Sequence, residues 1–194
     1  SAKVESSNGS VTVAEGLDPK VASLLSNYKA IDEFDNKRLS STGVVTTAYL
    51  QNAPLVPWNE NAREVAKQTG TMRYYFFTAS GLPSSGKWGD SCLIVFPNGQ
   101  TMLIDAGVSG FGEHLMRNLA ALGVDYIDYL MFSHNHDDHS FGVLYTDFLS
   151  YFKVGQCFWS GCYSASWSNP QKIEELMAEK GIPCSILSQG DELW

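Results

Sequence analysis

The chain has 194 residues and a formal net charge of −8, and 44% of its residues are hydrophobic, which predicts one compact globular domain and argues against extensive disorder. The longest apolar runs fall far short of the roughly 18 residues that a membrane span requires. With an isoelectric point of about 4.9 and no run of lysine or arginine, the chain lacks a long basic surface for a nucleic-acid backbone.

The first 71 residues are predicted to be an N-terminal extension laid against a domain that begins at about Met72. Residues 1–16 are polar and rich in glycine and serine, which is typical of a flexible leader. Asp18-Pro19 supplies an N-cap and a first-turn proline, and apolar residues follow at helical spacing, so an amphipathic helix is predicted over 19–38. Two weaker signals precede Met72: a short extended piece near 44–49 and a helix over 59–68.

From Met72 the pattern changes to β-rich segments and shorter helices. The predicted strands cover 72–79, 90–96, 100–105, 126–133, 154–159 and 183–187, and the predicted helices cover 111–122, 140–152 and 169–180. The Asn98-Gly99 pair is a strong hairpin-turn signal, so the first three strands are predicted to form an antiparallel meander. The alternation of helices and strands that follows predicts a mixed sheet with helices packed on it.

The most informative stretch is Ser133-His134-Asn135-His136-Asp137-Asp138-His139-Ser140, which holds three of the four histidines. It directly follows a predicted strand, where open α/β folds place their ligand sites. Neutral imidazoles and carboxylates suit zinc, manganese or iron, and a tight turn can aim several of them at one point. The run therefore predicts a metal site, and the alternative is an exposed histidine-rich turn without a metal.

This run, with Leu103-Ile104-Asp105-Ala106-Gly107 upstream, resembles the metallo-β-lactamase superfamily, whose hallmark is His-x-His-x-Asp-His after a strand of an αββα sandwich. The resemblance implies an α/β (α+β) fold and hydrolysis by metal-activated water, with a pair of zinc ions, or manganese or iron in their place. The metal ligands that it implies are His134 and His136 for the first ion and Asp138 and His139 for the second. It also implies that Asp138 is the catalytic residue and that Asp105 supports the ligands from behind. Asp137 occupies a variable position of the motif, where a solvated acid at the rim of the site is as good an interpretation as any role.

A finer resemblance covers residues 89–107. The pattern of Gly89-Asp90-Ser91, two apolar strands and a terminal Gly107 is similar to the metallo-hydrolase domain of bacterial DNA-uptake (competence) proteins. This branch implies hydrolysis of phosphodiesters or of other ester or amide substrates. Because backbone affinity for duplex DNA depends on lysine and arginine, long duplex DNA is not expected, and a small molecule or short nucleotide is.

Part of the superfamily's ligand set is missing from the sequence. A complete member supplies a third histidine, a bridging aspartate and a last histidine downstream, whereas no histidine follows His139. Residues 72–194 therefore resemble only the first half of the sandwich. Three interpretations remain: a truncated or cleaved product, a second half from a partner chain, or a degenerate site in a non-catalytic binding or surface protein. With two protein ligands per metal, the chain alone is expected to be weakly metallated and nearly inactive.

The remaining histidine and the cysteines have plainer interpretations. His114 is predicted to be structural or solvent-facing rather than a ligand. Cys92, Cys157, Cys162 and Cys184 are too few and too scattered for a disulfide scaffold, and they are predicted to be buried thiols. The sequence opens at Ser1 rather than Met, which indicates a processing site or a cloning choice and leaves the compartment open with a lean towards export.

Overall fold

The computed structural model describes residues 2–6, 9–13, 16–27, 61–78, 89–161 and 169–192. The strands are β1 (Ala2–Ser6), β2 (Gly9–Val13), β3 (Arg73–Thr78), β4 (Asp90–Val95), β5 (Thr101–Ile104), β6 (Tyr126–Phe132), β7 (Lys153–Trp159) and β8 (Cys184–Ile186). The helices are α1 (Pro19–Ser23), α2 (Ala62–Thr69), α3 (Ser109–Ala121), α4 (Asp137–Leu144), α5 (Phe148–Tyr151) and α6 (Asn169–Glu179), with a 3-10 turn at Leu24–Asn27. Among these described segments, every helix is too short or too polar to cross a membrane.

Strands β3 to β8 form one six-stranded sheet in chain order. The first three pair antiparallel, and the β4–β5 hairpin turns through Gly99, whose φ of 84° requires glycine. The last four pair in parallel because a helical crossover separates each strand from the next. The predicted meander and the mixed α/β architecture are therefore confirmed.

The core lies between one face of the sheet and the helices. Side chains from the strands and from all six helices form one buried cluster, which includes Leu93, Leu103, Leu130, Phe132, Leu115, Leu119, Val143, Ile173 and Met177. On the opposite face Tyr74 is 54% exposed and Phe76 is 75% exposed. Met102 and Phe158 also point to that face and lie outside the cluster. The described helices therefore build their core on one side of the sheet only.

Parts of the predicted extension pack on the same core. The buried cluster includes Val21 and Leu25, and Ala62 and Ala66 of α2. Arg63 of α2 donates to the carbonyl oxygen of Gly99 at 3.0 Å and pairs with Asp128 at 3.1 Å. Helix α2 is thus fastened to the amino-terminal ends of β5 and β6. The domain boundary near Met72 stays a prediction.

The N-terminal segment differs from the sequence prediction. Residues 2–6 and 9–13, predicted as part of a flexible leader, form an antiparallel hairpin in which Ala2 pairs with Val13. The difference arises because valine and threonine favour extended backbone, which the high glycine and serine content of the segment obscures.

The next helix begins where the sequence predicts, but its α-helical part is shorter than the predicted 19–38. It begins at Pro19, and the Asp18 side chain accepts a hydrogen bond from the Lys20 backbone N–H as its N-cap. The α-helix ends at Ser23 and a 3-10 turn continues it to Asn27. Residues 28–38 of the predicted helix, and the predicted piece near 44–49, lie outside the described residues.

Candidate metal centre

The histidine run spans the end of β6 and the start of α4. Ser133 follows the last residue of β6, and His136 is the N-cap of α4, with extended backbone. Asp138 and His139 therefore lie in the first helical turn, where an acidic side chain favours the positive end of the helix dipole. The prediction of a helix over 140–152 is wrong at its start and in its middle. Helix α4 begins at Asp137, and a separate helix α5 follows because Thr146 accepts a hydrogen bond from the Phe148 N–H.

Three of the four predicted ligands converge. The ligand atoms of His134, Asp138 and His139 all lie within 4.8 Å of one another. The rings of His134 and His139 have centroids 3.8 Å apart, and His139 Nε2 lies 3.6 Å from Asp138 Oδ1. The fourth, His136, lies outside this group, with its ring 4.6 Å from that of His134. The structure thus brings two imidazoles and one carboxylate to a common point.

Asp105 lies directly behind this group and is 6% exposed. Its Oδ1 accepts the Ser133 backbone N–H at 2.8 Å, and its Oδ2 accepts the Ser133 hydroxyl at 2.6 Å and His139 Nδ1 at 2.9 Å. The residue has a φ of 59°, a left-handed conformation that costs on the order of 1–3 kcal/mol for a non-glycine residue. Such a conformation persists where the surroundings hold it, and here they aim the carboxylate at the histidines.

These hydrogen bonds determine which nitrogen of each ring is available to a ligand. Since the Asp105 carboxylate only accepts, His139 donates from Nδ1, which leaves Nε2 as the nitrogen that can face a ligand. The Ser133 hydroxyl already donates to Asp105, so its contact of 3.0 Å with His134 Nδ1 makes that nitrogen a donor as well. Both rings therefore present Nε2, the arrangement in which an outer partner orients a metal-ligating histidine.

Desolvation and the two neighbouring histidines also favour the neutral form of His134. Desolvation lowers the pKa of His134, and the nearby His139 and His136 lower it further, against the opposing effect of Asp105 and Asp138. Because a histidine must be unprotonated to bind a metal, a lower pKa keeps this ring ready for a ligand.

Backbone contacts fix α4 beneath the site. The Ala106 N–H donates to the carbonyl oxygen of His139 at 2.8 Å, and the Gly142 N–H donates to that of Gly107 at 2.7 Å. A Cβ atom on Gly142 would lie 1.8 Å from the Ala106 carbonyl oxygen, so only glycine permits this approach. Gly89 makes a similar approach, since a Cβ there would lie 2.5 Å from the Asp138 carbonyl oxygen.

Two supporting residues of the site had no place among the sequence predictions. Gly142 lies inside a helical pattern, and an isolated glycine in such a pattern is a signal of close packing. Ser133 precedes the histidines, but its link to Asp105 depends on the pairing of β5 with β6. The carboxylate of Asp137, which is predicted at the rim of the site, accepts a hydrogen bond from the Asp138 backbone N–H at 3.1 Å.

His114 lies apart from the motif, in α3, with its ring centroid 5.8 Å from that of Phe111. Desolvation by burial, with a smaller contribution from Arg117, lowers the pKa of His114 from 6.5 to about 4. The side chain therefore favours a neutral state inside the folded protein.

This shift predicts a loss of stability in acid. Between the unfolded pKa and the folded pKa, the unfolded state binds more protons, so the free energy of unfolding falls as the pH falls from 6.5 towards about 4. The full shift corresponds to at most about 3 kcal/mol. Urea unfolding at about pH 7.5 and about pH 4.5 should show that His114→Gln loses less stability in acid than the wild type. Equal losses in the two proteins would contradict the prediction.

Comparison with known proteins places this geometry in a family context. Residues 86–149 match the family described as the metallo-β-lactamase superfamily. A metallo-β-lactamase of Cronobacter sakazakii, in a HARLDQ motif mutant, is 26% identical over 45% of this chain and 32% of its own, with a TM-score of 0.35. A mutant of the flavo di-iron protein from Thermotoga maritima is 19% identical over 54% of this chain and 24% of its own, with a TM-score of 0.39.

A diphosphatase of the PhnP family is 14% identical over 64% of this chain and 55% of its own, with a TM-score of 0.39. The chain thus spans about a third of the length of the Cronobacter enzyme. No curated protein matches the sequence. The family match is limited to residues 86–149, which include the whole histidine run and Asp105.

Proposed function

We propose that this chain belongs to a metal-dependent hydrolase and supplies the first part of its metal centre. Members of the superfamily are metal-dependent hydrolases. The observation that carries the proposal is the convergence of His134, Asp138 and His139 within 4.8 Å, at the edge of the sheet where β5 and β6 end. When bound there, divalent metal ions would activate water and polarise the scissile bond of the substrate.

The donor set supports a divalent metal. Two imidazole nitrogens and a carboxylate oxygen suit zinc, and manganese or iron are the alternatives. We assign His134 and His136 to a first ion and Asp138 and His139 to a second, with Asp138 as the catalytic residue. Asp105 would orient His139 directly and His134 through the Ser133 hydroxyl, which keeps both Nε2 atoms directed at the metal.

We further propose that residues 72–194 form the first half of the hydrolase domain and that the remaining ligands come from polypeptide outside the described residues. The sheet face opposite the helices supports this, since it bears the exposed apolar side chains of Tyr74 and Phe76, and exposed apolar surface marks interaction sites. A further segment or a partner chain on that face would complete the sandwich.

The proposed substrate is a small molecule or short nucleotide with a phosphodiester, other ester or amide bond. The net charge of −8 supports this choice against long duplex DNA, because such DNA is held by many lysine and arginine contacts. The resemblance of residues 89–107 to competence-protein hydrolase domains favours the phosphodiester within this group.

The proposal is tested by the zinc affinities of two variants, each altered at one of two neighbouring aspartates. Asp138 and Asp137 both lie in the first turn of α4, but only Asp138 belongs to the convergent group. Asp138→Asn is expected to lower zinc affinity by about 10-fold or more, because an amide replaces an anionic ligand. Asp137→Asn keeps the oxygen that accepts the Asp138 N–H, so its affinity should stay within about twofold of wild type. Equilibrium dialysis against zinc, with both variants checked for wild-type unfolding curves, gives the comparison.

The controls separate this proposal from its alternative. If wild-type protein binds no zinc even at high concentration, or if the two aspartate variants bind equally, the site is not a metal centre. A non-catalytic binding protein that retains the fold would then be the better description. If zinc binds as expected, a screen of phosphodiester and carboxylic ester substrates with zinc, manganese and iron follows.

A further inference from the structure

Two cysteines lie side by side on neighbouring strands, away from the metal centre. Cys157 of β7 and Cys184 of β8 are direct partners in the parallel register. Neighbouring strands are about 4.8 Å apart, and directly paired side chains point to the same face. Disulfide-bonded cysteines have Cα atoms roughly 4.4–6.8 Å apart, so this register meets the Cα distance requirement.

The two thiols influence each other and differ in exposure. Each side chain is the largest influence on the other's acidity, and the pairing lowers the pKa of Cys184 and raises that of Cys157. Cys157 is fully buried, whereas Cys184 is partly exposed at the margin of the core. The exposed partner is therefore also the one that more readily becomes a thiolate, the form that attacks a disulfide.

We propose that Cys157 and Cys184 form an oxidisable dithiol that a low-molecular-weight disulfide, such as oxidised glutathione, converts into a cross-strand disulfide. The Cys184 thiolate attacks one sulfur of the reagent and releases one glutathione thiolate. Cys157 then attacks the Cys184 sulfur, and its proton passes to the second glutathione as that thiolate departs. One sulfur–sulfur bond breaks and one forms, and two electrons pass from the protein dithiol to the reagent.

The bond would act on the least supported strand of the sheet. Strand β8 has three residues and pairs only with β7 among the described strands. A disulfide would close a loop that contains α6 and would join β8 covalently to a strand whose Cys157 lies in the core. Closing a loop of this length restricts the unfolded chain and stabilises the folded one.

The test is thiol oxidation of the whole chain with oxidised glutathione. The expected product has lost two free thiols, is lighter by two hydrogen atoms, and yields a proteolytic peptide that joins Cys157 to Cys184. Its melting temperature should rise by about 5 °C or more, and dithiothreitol should reverse the change. Cys92→Ser and Cys162→Ser should give the same cross-link, because neither residue takes part in the proposed bond.

Cys184→Ser is the matched negative control, since its side chain is partly exposed and the core residue Cys157 stays intact. This variant should give no cross-link to position 184 and no rise in melting temperature. The proposal is overturned if Cys162 pairs with either cysteine, if Cys184 keeps the glutathione and never transfers it, or if no thiol is lost. None of these outcomes depends on whether the chain binds a metal.

Discussion

Gly142→Ala is expected to lower the free energy of unfolding by about 2 kcal/mol or more and to abolish metal binding by the histidine run. The added Cβ would lie 1.8 Å from the Ala106 carbonyl oxygen, and backbone has little freedom to move away. Overpacking of this kind costs about 1–3 kcal/mol or more, which outweighs the gain of about 1 kcal/mol that alanine brings to a helix interior. Helix α4 must shift relative to β5, and it carries Asp138 and His139 with it.

Gly70→Ala is the matched control. Gly70 has a φ of 63° but no atom within 4 Å of its would-be Cβ, so this variant suffers backbone strain without a clash. It should lose only about 1 kcal/mol and keep wild-type zinc affinity. Urea unfolding and equilibrium dialysis on both variants make the comparison. A Gly142→Ala protein with unchanged zinc affinity would show that the position of α4 does not determine the site.

Asp105→Asn is expected to weaken zinc binding by about 10- to 100-fold with little loss of fold. Asparagine is nearly isosteric and tolerates left-handed backbone, so the φ of 59° can persist. An amide, however, has only one oxygen to accept hydrogen bonds, and it cannot serve the Ser133 N–H, the Ser133 hydroxyl and His139 Nδ1 as the carboxylate does. His139 would lose the partner that holds its proton on Nδ1.

Nitrogen NMR of the histidine rings reports which ring nitrogen carries the proton, and a general loss of structure would not by itself change that tautomer. In the wild type, the proton of His139 should reside on Nδ1, and in Asp105→Asn the tautomers should mix. Ser133→Ala removes only the hydroxyl link to His134 and should give a smaller loss of affinity. If Asp105→Asn keeps both the tautomer and the zinc affinity of the wild type, then Asp105 does not position the ligands.

Much of the sheet could be predicted from local signals. The Asn98-Gly99 turn, the glycines that end helices, and the apolar strands between them located β4 to β8 within one or two residues. The α4 boundary was wrong because the motif's polar residues resemble a loop, whereas Asp137 and Asp138 favour the first turn of a helix. The N-terminal hairpin departs from the sequence prediction because the glycine and serine content of the segment obscures the strand propensity of its valines.

For the candidate site, the sequence identifies which residues carry the chemistry but not how they are held. The histidines, Asp138 and Asp105 stand out by type and spacing, although their roles as ligands and support stay predictions. The positive φ of Asp105 and the contact of Gly142 with Ala106 depend on the pairing of β5 with β6 and on the packing of α4. Such contacts join positions far apart in sequence, so no local pattern reveals them.

The support of the histidine run by two separate segments limits how far the run can be moved. The Ser91 hydroxyl donates a hydrogen bond to the Asp105 carbonyl oxygen. In the loop after β5, the Ala106 N–H donates to α4 and the Gly107 carbonyl oxygen accepts from α4, and these backbone hydrogen bonds hold the helix in place. A protein engineer who grafted the eight-residue run onto another scaffold would transfer the donor atoms without their orientation. The recipient would also need a left-handed acidic residue on the adjacent parallel strand and a glycine one turn into the helix.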